Sequence, residues 1–149
     1  MSNLIPDSER DIYRAVITDM HDTFARDITV WQRSAERVNP LNPNHDAFYD
    51  NPKKPNVTYT TQSSTIPARV KYIDKQDKEY ALAIASAGNQ IQITQETQLV
   101  RIKVKAAEKK LVEDAEKVTV DDQDFSLLSV ARPHGLFDND YATFYLRAP

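Results

Sequence analysis

Apolar residues change their spacing from segment to segment along this chain, and the spacing predicts the elements. Over 8–25, Ile12, Val16, Met20 and Phe24 recur every four residues with Ala15 and Thr23 beside them, one apolar stripe of a helix. Ser8 with Asp11 three residues on suits an N-cap, and Glu9 and Asp11 suit the positive helix start. The stripe is expected to pack on a sheet, with binding of a partner helix as the alternative. The period then falls to two. Ile28-Thr29-Val30-Trp31-Gln32-Arg33 is β-branched and aromatic and reads as a strand. In 66–73, Ala68, Val70 and Tyr72 alternate with Arg69, Lys71 and Ile73; in 99–105, Val100, Ile102 and Val104 alternate with Arg101, Lys103 and Lys105. Both runs are half-buried strands. The last third reads as consecutive strands: Val118–Val120, a turn through Asp121-Asp122-Gln123-Asp124, then Phe125–Val130. Pro133-His134-Gly135 and Asp138-Asn139-Asp140 punctuate a loop before a final strand, Tyr141–Arg147.

Between the helix region and these strands, residues 39–65 read as a long extended loop. Pro40, Pro43, Pro52 and Pro55 keep its first part out of helices and central strands, and 57–65 is a Thr/Ser/Gln-rich extended stretch. Phe48 and Tyr49 stand in that loop without a local core. They either anchor it on its own domain or insert into a neighbour, as aromatic hot spots do. Residues 74–87 fit a short helix or a strand, closed by Gly88-Asn89, and 106–116 reads as a short polar helix. The sum is one domain over 1–149, mainly β. It is expected to be a small antiparallel β-barrel or sandwich with an N-terminal α-helix, a long Pro-rich loop and a strand-rich core over 66–149.

Composition narrows the chemistry. Two glycines, Gly88 and Gly135, stand where average usage gives about ten, so no phosphate-cradling glycine loop can be built. No cysteine is present, which removes disulfides, thiolate catalysis and cysteine metal sites and fits a reducing compartment. The N-terminal residues lack the pattern of a signal peptide, and no run reaches the ~20 apolar residues of a membrane span. His21, His45 and His134 share no ligand spacing and read as surface or capping histidines. Asp121, Asp122 and Asp124 lack the glycine and distal glutamate of a calcium loop and read as a turn. No nucleophile, base and orienting group can be assembled, so the expectation is a non-enzyme without catalytic, cofactor or metal residues.

Charge is uneven. Residues 1–65 carry seven basic and nine acidic groups, 66–112 nine and five, and 113–149 three and eight, so a middle of +4 lies between flanks of −2 and −5. These are either solvated surfaces or complementary patches on neighbouring copies. Arg69, Lys71, Arg101, Lys103 and Lys105 can line one basic strand face. With Tyr59, Tyr72 and Tyr80 that face suits an oligonucleotide-binding barrel, although the chain as a whole is acidic.

The order of elements resembles the neck proteins of tailed bacteriophages, the head-completion or head–tail connector group. The likeness rests on five stretches: the amphipathic helix running into Phe24-Ala-Arg-Asp-Ile-Thr-Val-Trp31; the polar loop with Phe48 and Tyr49; Ile66-Pro-Ala-Arg-Val-Lys-Tyr-Ile73; Val118-Thr-Val-Asp-Asp-Gln-Asp-Phe125 leading into Leu127-Leu-Ser-Val130; and Tyr141-Ala-Thr-Phe-Tyr-Leu-Arg147. Where the family often has a glycine in the turn before the aromatic strand, this chain has Gln123-Asp124. The resemblance implies a structural virion protein, assembled in the host cytoplasm into a neck ring of twelve or six copies. One face would meet the portal or adaptor protein and the other the tail proteins, and DNA would pass through the channel without sequence-specific binding. Phe48, Tyr49, Arg69, Lys71, Arg101 and Lys103 are then the expected subunit or partner contacts, with the basic middle of one copy meeting the acidic C-terminal third of the next. A tail or baseplate component and an oligonucleotide-binding β-barrel domain are the alternatives.

Overall fold

The structure, a computed structural model, describes residues 4–37, 57–86 and 98–149. The first part of the expected loop, with Phe48 and Tyr49, and also His45 and Gly88, lies outside the described residues. Among the described residues, seven strands follow or separate three helices: α1 (Asp7–Phe24), β1 (Arg26–Arg37), β2 (Val57–Ile73), α2 (Lys78–Ser86), β3 (Leu99–Lys105), a 3-10 turn (Ala106–Glu108) leading into α3 (Lys109–Glu113), β4 (Lys117–Val120), β5 (Gln123–Leu127), β6 (Arg132–His134) and β7 (Tyr141–Arg147). All pairings are antiparallel. The order β3-β2-β1-β4-β5-β7 closes on itself through β3–β7, giving a mainly β, six-stranded barrel with an N-terminal helix; β6 pairs with the same edge of β7 as β5, at the other end of the strand. Closure removes most sheet edges, which is how short strands avoid pairing with foreign chains.

Alternation along the strands builds the core. Val100, Ile102 and Val104 of β3, Ala142, Phe144 and Leu146 of β7, Ile28 and Val30 of β1, Val118 and Val120 of β4 and Phe125 of β5 fill the interior. Each large side chain removed from water there contributes roughly 1.5–3 kcal/mol. A second, smaller apolar cluster lies outside the barrel wall. Ile73, Leu99 and Tyr145 are covered by α2, whose Tyr80, Ala83 and Ile84 recur at helical spacing and whose Ala, Leu, Glu and Lys content favours a helix over a strand. This cover inverts the expected end of β2: Ile73 is buried under α2, whereas Tyr72 is partly exposed and donates to Asp121 at 2.7 Å.

Three further expectations are corrected. Val57–Thr65, grouped with the loop, is the first half of β2 and pairs residue for residue with β1 from Arg37↔Val57 to Thr29↔Thr65. Its Thr-rich composition suits a strand as well as it suits a loop. The 132–134 segment, read as loop, is β6, paired with β7 through Arg132↔Thr143 and His134↔Tyr141; Pro133 fits because the strand is at an edge. Ser8 is the second residue of α1 rather than its cap. Pro6 occupies the cap position without a side-chain hydrogen bond, and the Glu9 N–H donates to the Pro6 carbonyl at 3.0 Å.

The largest correction concerns the face of α1. Ile12, Val16, Met20 and Phe24 are each half or more exposed. The helix instead docks through Arg10, Arg14, Ile17 and His21, which share the opposite face at helical spacing. His21, expected at the surface, is 2% exposed, with Nε2 3.2 Å from the Lys103 carbonyl, Nδ1 3.3 Å from Asp22 and its ring stacked on Tyr141 at 5.1 Å. Arg14 pairs with Asp138, both Arg10 and Arg14 sit over the Phe137 ring, and Lys105 Nζ reaches Asp22 at 2.8 Å. The reason is the docking surface itself. The outer wall of β3 and β7 at that end presents Lys103, Lys105 and Tyr141, which can pair with a polar helix face and cannot pack an apolar one. Gly135 permits the 135–140 loop to fold against the helix, because a Cβ there would overlap the Asp138 carbonyl oxygen.

The β4–β5 hairpin closes on the pair Val120↔Gln123, so the turn is Asp121-Asp122, with φ of 47° and 63°. Both central residues lie in the left-handed region, the type I′ geometry that matches strand twist. The glycine-poor turn is therefore made by aspartates, which tolerate that region better than other side chains. Replacing Asp122 by Gly should raise the denaturant midpoint, worth roughly 0.5–1 kcal/mol, and Asp122→Val should lower it, worth about 1–2 kcal/mol. Equal effects of the two changes in urea melts would refute the turn assignment.

Candidate functional site

Register places five cations on one outer patch of the wall. Arg69 of β2 stands directly opposite Lys103 of β3, Lys103 opposite Thr143 of β7, and Thr143 opposite Arg132 of β6, a single row across four strands. The next row holds Lys71, Arg101 and Tyr145. The alternation that sends Val100, Ile102 and Val104 inward sends these outward. Together with Val70 and His134 they line a cleft of about 570 Å³. At one side Arg69 lies 5.8 Å from the Phe24 ring, so the exposed stripe of α1 runs up to the cleft rim.

Directly opposed like charges destabilise a sheet, and the counter-charge here is partial. Glu79 of α2 accepts from Lys71 at 2.7 Å and also pairs with Arg101, while Asp77 lies 3.5 Å from Lys71. Burial alone would raise the Glu79 carboxyl; the Lys71 hydrogen bond and the Arg101 charge outweigh it and hold it below its usual value. Arg69 and Lys103 have no carboxylate within ion-pair distance among the described residues; Lys103 instead lies 5.4 Å over the Tyr141 ring. Burial depresses the Lys103 ammonium, and the Arg69 and Arg101 charges push it the same way. His134 is lowered chiefly by burial, against a raising hydrogen bond with the Tyr141 backbone, with Lys103 and Arg101 adding to the fall. Its Nε2 is 3.3 Å from the Thr143 hydroxyl.

The four strand cations named from sequence, Arg69, Lys71, Arg101 and Lys103, are thus brought together, whereas Lys105 turns away to α1. Arg132 and His134 escape a reading in which 132–134 is a loop; Thr143 and Tyr145 lie on the strand that is read, in phase with Arg147, but carry no charge to mark them. Of the tyrosines considered for base stacking, Tyr59 lies under the Arg33 guanidinium at 4.1 Å and Tyr72 is tied to Asp121, neither of them lining the cleft. Among the described residues, no group of three metal-ligating side chains is placed to hold an ion, and no helix is long and apolar enough to cross a membrane.

What the geometry defines is an antiparallel barrel whose outer wall carries a concave, positively charged patch bordered by an apolar helix face. No protein-family model matches the chain, and no curated protein is found to be similar to it.

The lowered His134 value sets a pH dependence. The folded state favours the neutral imidazole, so the unfolded chain binds more protons below the ordinary value of 6.5. Stability is full above that value and is lost as pH falls from it through the depressed folded value. Urea midpoints between pH 8 and 5 should show this loss, and His134→Gln should flatten it. An unchanged pH profile in the variant would place the titration elsewhere.

Proposed function

We propose that the chain is a structural protein of a tailed-phage neck, forming a ring that joins the portal or adaptor to the tail and leaves a channel for DNA. The observation that carries this reading is the exposed face of α1. Ile12 at 64%, Val16 at 53%, Met20 at 50% and Phe24 at 62% exposure form one continuous apolar stripe on a helix held to its own barrel by polar contacts. Contiguous apolar surface beside a charged, concave region is the anatomy of a protein–protein interface. The long β1–β2 ribbon supports the same reading. β4 pairs with β1 only over Thr29–Trp31, so Gln32–Arg37 and Val57–Gln62 continue as two strands with no third strand among the described residues. An isolated two-stranded ribbon is marginal in water and gains from a neighbouring chain. The resemblance in element order points the same way.

A nucleic-acid-binding barrel is the second reading, favoured by the basic cleft. Against it, Tyr145, the aromatic ring in the cleft, is only 5% exposed and offers no stacking platform. The tail or baseplate alternative shares the assembly logic and differs in the neighbour.

Negative-stain imaging and native mass spectrometry of the purified chain should show closed rings of six or twelve copies. Val16→Ser with Met20→Ser should cost the isolated chain only about 1–2 kcal/mol, because about half of each side chain is already in water, and should weaken ring formation about tenfold or more. A strict monomer at every concentration, or rings indifferent to the double change, would overturn the assignment.

A further inference from the structure

Resting on the ring reading, the geometry points to the occupant of the basic cleft: the acidic edge formed by α3, β4 and the β4–β5 turn of the next copy. Two observations locate that edge. Residues 113–124 hold six carboxylates and one cation, Lys117, and all six carboxylates are exposed. In the closed order β3-β2-β1-β4-β5-β7, β4 is three strands from β3 in either direction, so the edge and the cleft lie on opposite walls of the barrel. Within one copy the edge does not satisfy the cleft: none of its carboxylates pairs with Arg69, Lys71, Arg101 or Lys103. It can satisfy that of a neighbour placed head to tail, the heterologous contact that closes into a ring when the rotation between copies allows.

The charges match in excess as well as in sign. The cleft cations Arg69, Lys71, Arg101 and Lys103 stand against Glu79 and Asp77, an excess of two. On the edge, Glu113, Glu116, Asp121 and Asp124 have cationic partners at 3.6, 3.9, 2.7 and 2.7 Å, all between exposed side chains, contacts that exchange readily in water. Asp114 and Asp122 have no ion pair among the described residues. Docking would give Arg69 and Lys103 the carboxylates they lack, in a cleft where partial desolvation strengthens the attraction.

Two charge-reversed variants test this. Arg69→Glu with Lys103→Glu changes the cleft, and Asp114→Lys with Glu116→Lys changes the edge. Each alone should assemble at least tenfold more weakly by sedimentation velocity. An equimolar mixture should regain rings, because each variant's altered surface now fits the other's. The neutral pair Arg69→Gln with Lys103→Gln relieves cross-strand repulsion, so it should be no less stable than the parent and yet assemble more weakly. Wild-type rings that persist in either reversed variant, or a mixture that stays monomeric, overturn the docking while leaving the ring reading intact. Wild-type material that never forms rings overturns both. Salt-sensitive binding of a single-stranded oligonucleotide by the wild type, lost in the Arg69 and Lys103 variants, would assign the cleft to nucleic acid and overturn the docking.

Discussion

Strand β3 is pinned on both sides, by β2 through Arg69↔Lys103 to Ile73↔Leu99 and by β7 along its whole length from Leu99↔Arg147 to Lys105↔Tyr141. That double register decides nearly everything else. With period-two side chains, a slip of one residue would carry Arg101, Lys103 and Lys105 into the core and put Val100, Ile102 and Val104 in water. Burying even one unpaired ammonium costs several kcal/mol, more than most single contacts can return. The core therefore fixes the register, and the register fixes the row of cations on the outer wall. Charge on this surface is not free to rearrange, because it is tied to the apolar packing behind it.

The same wall chooses how α1 docks. At one end β3 and β7 offer Lys103, Lys105 and Tyr141, which accept the polar face of the helix; at the other they offer Leu99 and Tyr145, which accept the apolar face of α2. One helix is held by directional polar contacts and the other by burial. Polar docking leaves a gap of about 310 Å³ between α1 and the residues around Ala106, Leu136 and Tyr141, and leaves the helix's apolar stripe outside. With its polar face turned to its own domain, the helix leaves Ile12, Val16, Met20 and Phe24 exposed.

Much of the fold was legible in the residues, and the parts that were not share a cause. The bounds of β3 and β7 and the placing of α1 and β1 follow from periodicity, which is local; the turn read over Asp121–Asp124 is shorter, since Gln123 and Asp124 already belong to β5, which ends at Leu127 rather than Val130. The position of Ile73 was misjudged because its burial comes from α2, an element whose own helix-or-strand character was ambiguous. The α1 stripe was assigned to the core because an amphipathic helix usually buries its apolar side, and nothing local to 7–24 reveals that the receiving surface is charged. His21 was hidden for the same reason. Its partners, the Lys103 carbonyl and the Tyr141 ring, are over 80 residues away in sequence. Of the cleft, the half on β2 and β3 could be read from alternation, and the half on β6 could not, since Arg132-Pro133-His134 carries the marks of a loop.

The cleft also shows which term the fold gives up. Arg69 opposite Lys103 and Lys71 opposite Arg101 are pairings that a sequence optimised for monomer stability would avoid, since swapping one member of each for a carboxylate would turn repulsion into attraction. Glu79 answers one row through Lys71 and Arg101 and leaves the other unanswered. The apolar core behind the wall, Val100 to Leu146, is large enough to carry that cost in a domain whose net stability is only the small difference between large terms. On the docking proposed above, that local repulsion would be relieved by an incoming anionic surface, and these charges would then contribute to assembly rather than to folding.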